Sequence, residues 1–77
     1  MITAGIDIGH QSVNAVILED DRIVSHASRV IAGEVDAAAR TVFDGILDQA
    51  DMSPDRIQRL FATGVGRAKV TFADGDR

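Results

Sequence analysis

Strand-length apolar runs, a single amphipathic stretch and the order in which they occur predict an α/β fold. It consists of a three-stranded antiparallel meander, one long helix, and a fourth strand parallel to the first. Three observations carry this. Residues 3–8 (TAGIDI) and 13–18 (VNAVIL) are apolar and β-branched over strand lengths, with turn formers between and after them. Apolar residues from Val35 to Ala50 recur in steps of three and one, which is the spacing of one helix face. A further strand-length run, IQRLFA at 57–62, follows that helix.

The elements can be justified in order. Thr3–Ile8 has apolar content on both faces and is predicted to be a central, doubly covered strand. Gly9 to Ser12 break it as a tight loop, and Val13–Leu18 returns. Asp20 and Asp21 are turn formers, after which Arg22–Arg29 alternates weakly as a third strand. Val35, Ala38, Ala39, Val42, Phe43, Ile46, Leu47 and Ala50 form the helix stripe. Gly33 is the expected N-cap, with Glu34 and Asp36 in the first turn where the helix dipole favours anions. Gly45 falls on the polar side. Ser53-Pro54 opens a short helical turn. Thr63 to Arg67 (TGVGR) is read as a glycine-rich loop, and the terminal ADGDR as turn-like.

Composition narrows the possible roles. The chain has 77 residues, enough for one small domain. Such a chain buries only about 60% of its unfolded surface, so its margin of stability is small. It has no cysteine, hence no disulfide and no thiolate metal site, and this fits a cytoplasmic protein. Its net charge of −4 argues against nucleic acid as a partner. No run of apolar residues is long enough to span a membrane, and no basic-then-apolar leader begins the chain. His10 and His26 lie too far apart for a zinc spacing, and His26 reads as a surface or edge histidine.

If the first strand runs up, the second runs down and the third up. The helix then returns the chain, and a right-handed crossover sets the fourth strand beside the first. DIGHQS and TGVGR thereby share one end of the sheet, at the carboxyl ends of parallel strands, where open α/β sheets bind ligands. Asp7 ends a buried-looking strand. A carboxylate there is either a structural residue hydrogen-bonded at the strand end or the partner of a hydrated Mg²⁺. Gly9 either turns the hairpin or lets backbone approach a phosphate, and His10, Gln11 and Ser12 offer amides and side-chain donors. Gly64 and Gly66 can expose amides, while Arg67 either pairs on the surface or meets phosphate or carboxylate as a planar fork. No Walker lysine motif and no Ser-His-Asp spacing occurs.

AGIDIGHQSVNAVIL resembles the first phosphate-binding hairpin of the acetate and sugar kinase, heat-shock chaperone and actin superfamily. LFATGVGRAKVTFADGD narrows the resemblance to the activators of 2-hydroxyacyl-CoA dehydratases and the ATPase subunits of benzoyl-CoA reductase. The likeness covers essentially all of the chain but only the opening portion of such proteins. It implies that residues 1–77 are the N-terminal portion of one ribonuclease H-like (actin-like ATPase) domain, with the second lobe absent. It implies ATP and Mg²⁺ between two lobes and a homodimer or heterodimer of the full-length protein. A 4Fe–4S cluster is expected only there, held by a cysteine beyond Arg77. The implied partner is an acyl-CoA reductase or dehydratase component that receives a low-potential electron.

By position, Asp7 matches the metal-associated aspartate (water-mediated) and Gly9 the phosphate-loop glycine. His10, Gln11 and Ser12 match the rest of that loop, and Thr63, Gly64, Gly66 and Arg67 match the second motif. The chain departs from the family in having His10 where Ser or Thr follows DIG, and Asn14 where Lys is common. Loss of that cation weakens attraction for phosphate. Two other readings stand beside the ATPase: a sugar or small-acid kinase of the same superfamily, and a non-catalytic remnant or interaction module. The 77 residues alone are expected to hydrolyse no ATP, because clamping phosphate needs both lobes.

Overall fold

A computed structural model describes residues 1–64 and 75–76. Strands β1 (Ile2–Ile8), β2 (Ser12–Glu19) and β3 (Arg22–Val30) form the meander. Helix α1 (Val35–Ala50) and a 3₁₀ turn (Pro54–Arg56) lead to β4 (Arg59–Gly64), and a short β5 (Gly75–Asp76) follows. The sheet order is β3-β2-β1-β4-β5. β1–β2 and β2–β3 are antiparallel, whereas β1–β4 and β4–β5 are parallel. The predicted meander, helix and parallel fourth strand are therefore all present.

The turn between β2 and β3 forms because Asp20 and Asp21 both take positive φ, 50° and 68°. Two consecutive positive-φ residues match the right-handed twist of a hairpin, and aspartate tolerates that region better than most residues. α1 lies across β3 and β2. Its Ala38, Ala39, Val42, Phe43, Ile46 and Leu47 are buried against Ile6, Ile8, Val13, Ala15 and Ile17 in one core. Ser25 Oγ, buried on β3, donates to the Ile46 carbonyl at 2.8 Å and fastens the edge strand to the helix.

Several expectations are corrected. The N-cap is Glu34, with φ −74° and ψ 137° and no side-chain cap, while Gly33 sits one residue earlier at φ 91°. The Glu34 carbonyl accepts the first helical bond, from the Ala38 amide at 3.0 Å, so the extended residue before the helix is Glu34. β4 begins at Arg59, because Ile57 is taken up in closing the 3₁₀ turn, its amide donating to the Pro54 carbonyl at 3.1 Å. Thr63 and Gly64 belong to β4 and not to a loop. Gly75 and Asp76, read as turn-like, pair instead with Phe61 and Ala62 along β4. Their strand state comes from a backbone ladder that side-chain pattern does not reveal.

β1 is central but not doubly covered among the described residues. Ile2, Ala4, Ile6 and Ile8 are buried, Thr3 and Gly5 are half-buried, and Asp7 is exposed. The reason is that α1 lies on one side of the sheet only. Among the described residues no helix is long and apolar enough to cross a membrane.

Candidate functional site: the rim between the central parallel strands

The rim is built by register. Asp7 pairs with Asn14 on β2 and with Thr63 on β4, and Asn14 pairs with Ser28 on β3. Directly paired residues project to the same face, so Thr63, Asp7, Asn14 and Ser28 make one polar row across four strands. Asp7, Asn14 and Ser28 are exposed and Thr63 is half-buried. An open groove of about 690 Å³ runs down the same face from this row, past Phe61, Val16 and Leu18. It is mainly apolar and does not reach Gly9–Ser12, so it is distinct from the loop amides.

The first loop is a tight return. The Gly9 amide donates to the Ser12 carbonyl at 2.9 Å, and the Gln11 carbonyl accepts from the Ile31 amide at 2.8 Å. His10 and Gln11 are exposed at its tip, and Ser12 is half-buried. Gly9 does not have positive φ. A Cβ there would meet only Ser12, at 3.5 Å and 3.8 Å, which is ordinary contact. The fold itself thus places no demand for glycine at position 9.

Gly64 is different. Its φ is 92°, and it pairs with Ile8 across the parallel ladder. A Cβ on it would collide with the Ile8 carbonyl and would lie 2.8 Å from Asp7 Oδ1. The strand ends that carry the two motifs are neighbours as predicted, since β1 closes at Ile8 and β4 at Gly64 and these two residues pair. Gly66 and Arg67 lie outside the described residues. Ser28 was missed by sequence reasoning. Finding it requires the β2–β3 register, which shifts at Ile17/Leu18.

Among the described residues no three His, Cys, Asp or Glu side chains cluster to enclose a metal. One exposed carboxylate with neutral oxygen-bearing neighbours suits a hydrated Mg²⁺, which takes few protein ligands and completes its shell with water and phosphate oxygens. The donor set does not suit an iron–sulfur cluster, since the chain has no cysteine.

A mixed sheet of this order, with a carboxylate, a tight turn after β1 and a glycine closing β4 at the ends of its central parallel strands, is a part of the actin-like ATPase fold. Component A of (R)-2-hydroxyglutaryl-CoA dehydratase from Acidaminococcus fermentans superposes on the whole chain with TM-score 0.91 at 25% identity, over 30% of its own length. The activator of 2-hydroxyisocaproyl-CoA dehydratase from Clostridium difficile, solved with bound ADPNP, does so with TM-score 0.83 at 29% identity, over 29% of its length. ROK hexokinase from Thermus thermophilus matches 83% of this chain and 22% of its own, with TM-score 0.71 at 16% identity, which shows shared fold alone. The activator of lactoyl-CoA dehydratase from Anaerotignum propionicum is 32% identical over 77 residues, all of this chain and 29% of the relative. No protein-family model matches the chain. Over its whole length the chain is similar to an N-terminal portion of the activators of 2-hydroxyacyl-CoA dehydratases, whose fold is actin-like, and it spans less than a third of the length of these relatives.

Proposed function

We propose that this chain supplies the first phosphate- and Mg²⁺-binding edge of an ATPase that drives low-potential electron transfer to an acyl-CoA dehydratase or reductase component. The observation that carries it is the juxtaposition of Asp7, the Gly9–Ser12 turn and Gly64 at one end of the β1–β4 pair. The solved relative with ADPNP supports a nucleotide as the ligand.

Each residue has a share in the reading. The amides and side chains of His10, Gln11 and Ser12 donate to phosphate oxygens, and the bare Gly9 backbone, its own amide held by the Ser12 carbonyl, allows their approach. Gly64 ends the neighbouring strand β4 at the same rim, and Gly66 and Arg67, which follow it in sequence, belong to the second phosphate motif in this reading. Asp7 accepts from metal-bound waters and so holds the cation over the rim. Bound there, Mg²⁺ neutralises charge on the phosphates. The 4Fe–4S cluster, the dimer and the cytoplasmic location belong to the full-length protein in this reading. This chain is the N-terminal portion of its domain and has no turnover of its own.

The test is NMR titration of the chain with ADPNP, with and without Mg²⁺. Amide shifts at Gly9–Ser12 and Gly64 that require Mg²⁺ are expected. Shifts absent at millimolar analogue, or confined to the groove around Val16 and Leu18, would overturn the reading. The sugar-kinase alternative shares the hairpin and is separated by adding sugars, which should leave these amides unmoved.

A further inference from the structure

Gly64 stands where two constraints meet. Its backbone lies in the left-handed region at φ 92°, which already disfavours an L side chain. The parallel register sets it opposite Ile8, and a Cβ would overlap the Ile8 carbonyl oxygen and lie 2.8 Å from its carbonyl carbon. The same Cβ would lie 2.8 Å from Asp7 Oδ1. Asp7 therefore leans its carboxylate across the strand boundary toward β4, into the space that a side chain at position 64 would fill. Asn14, its neighbour on the other side, lies on β2.

We infer that Gly64 is a positioning residue: by having no side chain it lets the Asp7 carboxylate lie over the end of β4, and so fixes the direction in which Asp7 presents its oxygens at the rim. This deepens the reading of Asp7 as the metal-associated carboxylate and rests on it for its functional consequence. It assigns Gly64 a role distinct from donating an amide to phosphate. The two roles separate experimentally. A positioning role governs how tightly the cation is held. A donor role governs how tightly phosphate is held whether or not a cation is present.

The experiment has two arms. In the unsubstituted chain, NMR couplings and cross-relaxation should show Asp7 in one χ1 rotamer, with its Hβ protons close to the Gly64 Hα protons. Rotamer averaging at Asp7, or proximity to Asn14 alone, overturns the inference without reference to any ligand. In the second arm, Gly64→Ala should redistribute the Asp7 rotamer and shift only the end of the β1–β4 ladder at Ile8–Gly64, with the Thr3–Arg59 to Ile6–Ala62 pairs kept. Mn²⁺ affinity in the presence of ADPNP should then fall about 10-fold or more, as when outer-shell partners of a metal ligand are altered. Mn²⁺ affinity without nucleotide, read from paramagnetic broadening at Asp7, should fall by a similar factor. A loss seen only when ADPNP is present overturns the positioning role in favour of phosphate contact. If Gly64→Ala does not fold, the rotamer of the unsubstituted chain decides. If the unsubstituted chain binds no Mn²⁺ with ADPNP, the functional reading falls, and the rotamer arm still decides what Gly64 does.

Discussion

Ser25 on the edge strand β3 donates its hydroxyl to the main-chain carbonyl of Ile46, inside α1, across a distance of 2.8 Å. Ser25 is only 2% exposed, and its bond joins the far end of the meander to the element that follows it. The strand needs such a fastening, because residues Ile23, Val24 and Val30 on the same strand are exposed and add little to the core.

Replacing Ser25 by Ala should therefore lower stability by about 1 kcal/mol, the usual net worth of one buried hydrogen bond. The loss stays moderate because alanine buries no unsatisfied group. Chemical denaturation of the two proteins measures it. A change indistinguishable from zero would mean that the hydroxyl bond contributes nothing beyond what water offers in the unfolded chain.

Gly45 makes the opposite case. It sits on the exposed side of α1, and a Cβ there would meet nothing within 4 Å. Gly45→Ala should raise stability by up to about 1 kcal/mol, since it removes backbone freedom from the unfolded chain and adds no clash. For a domain of this size that corresponds to roughly 4–8 °C in Tm. A lower Tm in the alanine variant would show that the glycine is needed for a helix distortion.

These contrasts show which parts of the molecule local sequence determines. The helix face was legible because its residues repeat at helical spacing, and the β2–β3 turn because two aspartates together tolerate positive φ. The start of β4 was not, because Ile57 looks like a strand residue yet closes the 3₁₀ turn with its amide. At the site, the Gly9–Ser12 turn was legible from residue type alone. The pressure of Asp7 on Gly64 was not, since it exists only once the parallel register sets Ile8 against Gly64. Ser28 joins the polar row through a β2–β3 ladder whose register shifts at Ile17/Leu18, and counting back from the turn misplaces it. The uncovered face of β1 was misread because Thr3 and Gly5 are compatible with burial but do not require it.

The amino terminus carries a pH dependence. The Met1 ammonium donates to Asp20 Oδ1 at 2.6 Å, and the Asp20 amide donates to the Met1 carbonyl at 3.1 Å, closing the end of the β1–β2 hairpin. The hydrogen bond it donates to the Asp20 carboxylate, and then that group's charge, raise the ammonium pKa above the ordinary value of 8.0. A cation whose folded pKa is raised adds stability that is fully present below its unfolded pKa and lost as pH rises through the folded one. Stability should thus fall above about pH 8, by a small amount, because both groups are solvent-exposed and salt screens them. Thermal melts of the chain and of Asp20→Asn across this range isolate the effect. The variant should lack the alkaline decline specific to Met1, and parallel curves would remove the clasp from the account.

Asp7→Asn tests the site itself. The substitution keeps size and shape at an exposed strand end, where changes are commonly within about 0.5 kcal/mol. The carboxamide removes the charge that would hold metal-bound water, while the amides of Gly9–Ser12 remain in place. Mg²⁺-dependent binding of ADPNP should be lost, and in a full-length protein bearing this segment the Mg²⁺-dependent turnover of ATP should be lost with it. Circular dichroism and denaturation should be nearly unchanged, which separates loss of the cation from loss of the fold. Retention of Mg²⁺-dependent binding by Asp7→Asn would take Asp7 out of the metal site and leave the rim as a turn that happens to end in a carboxylate.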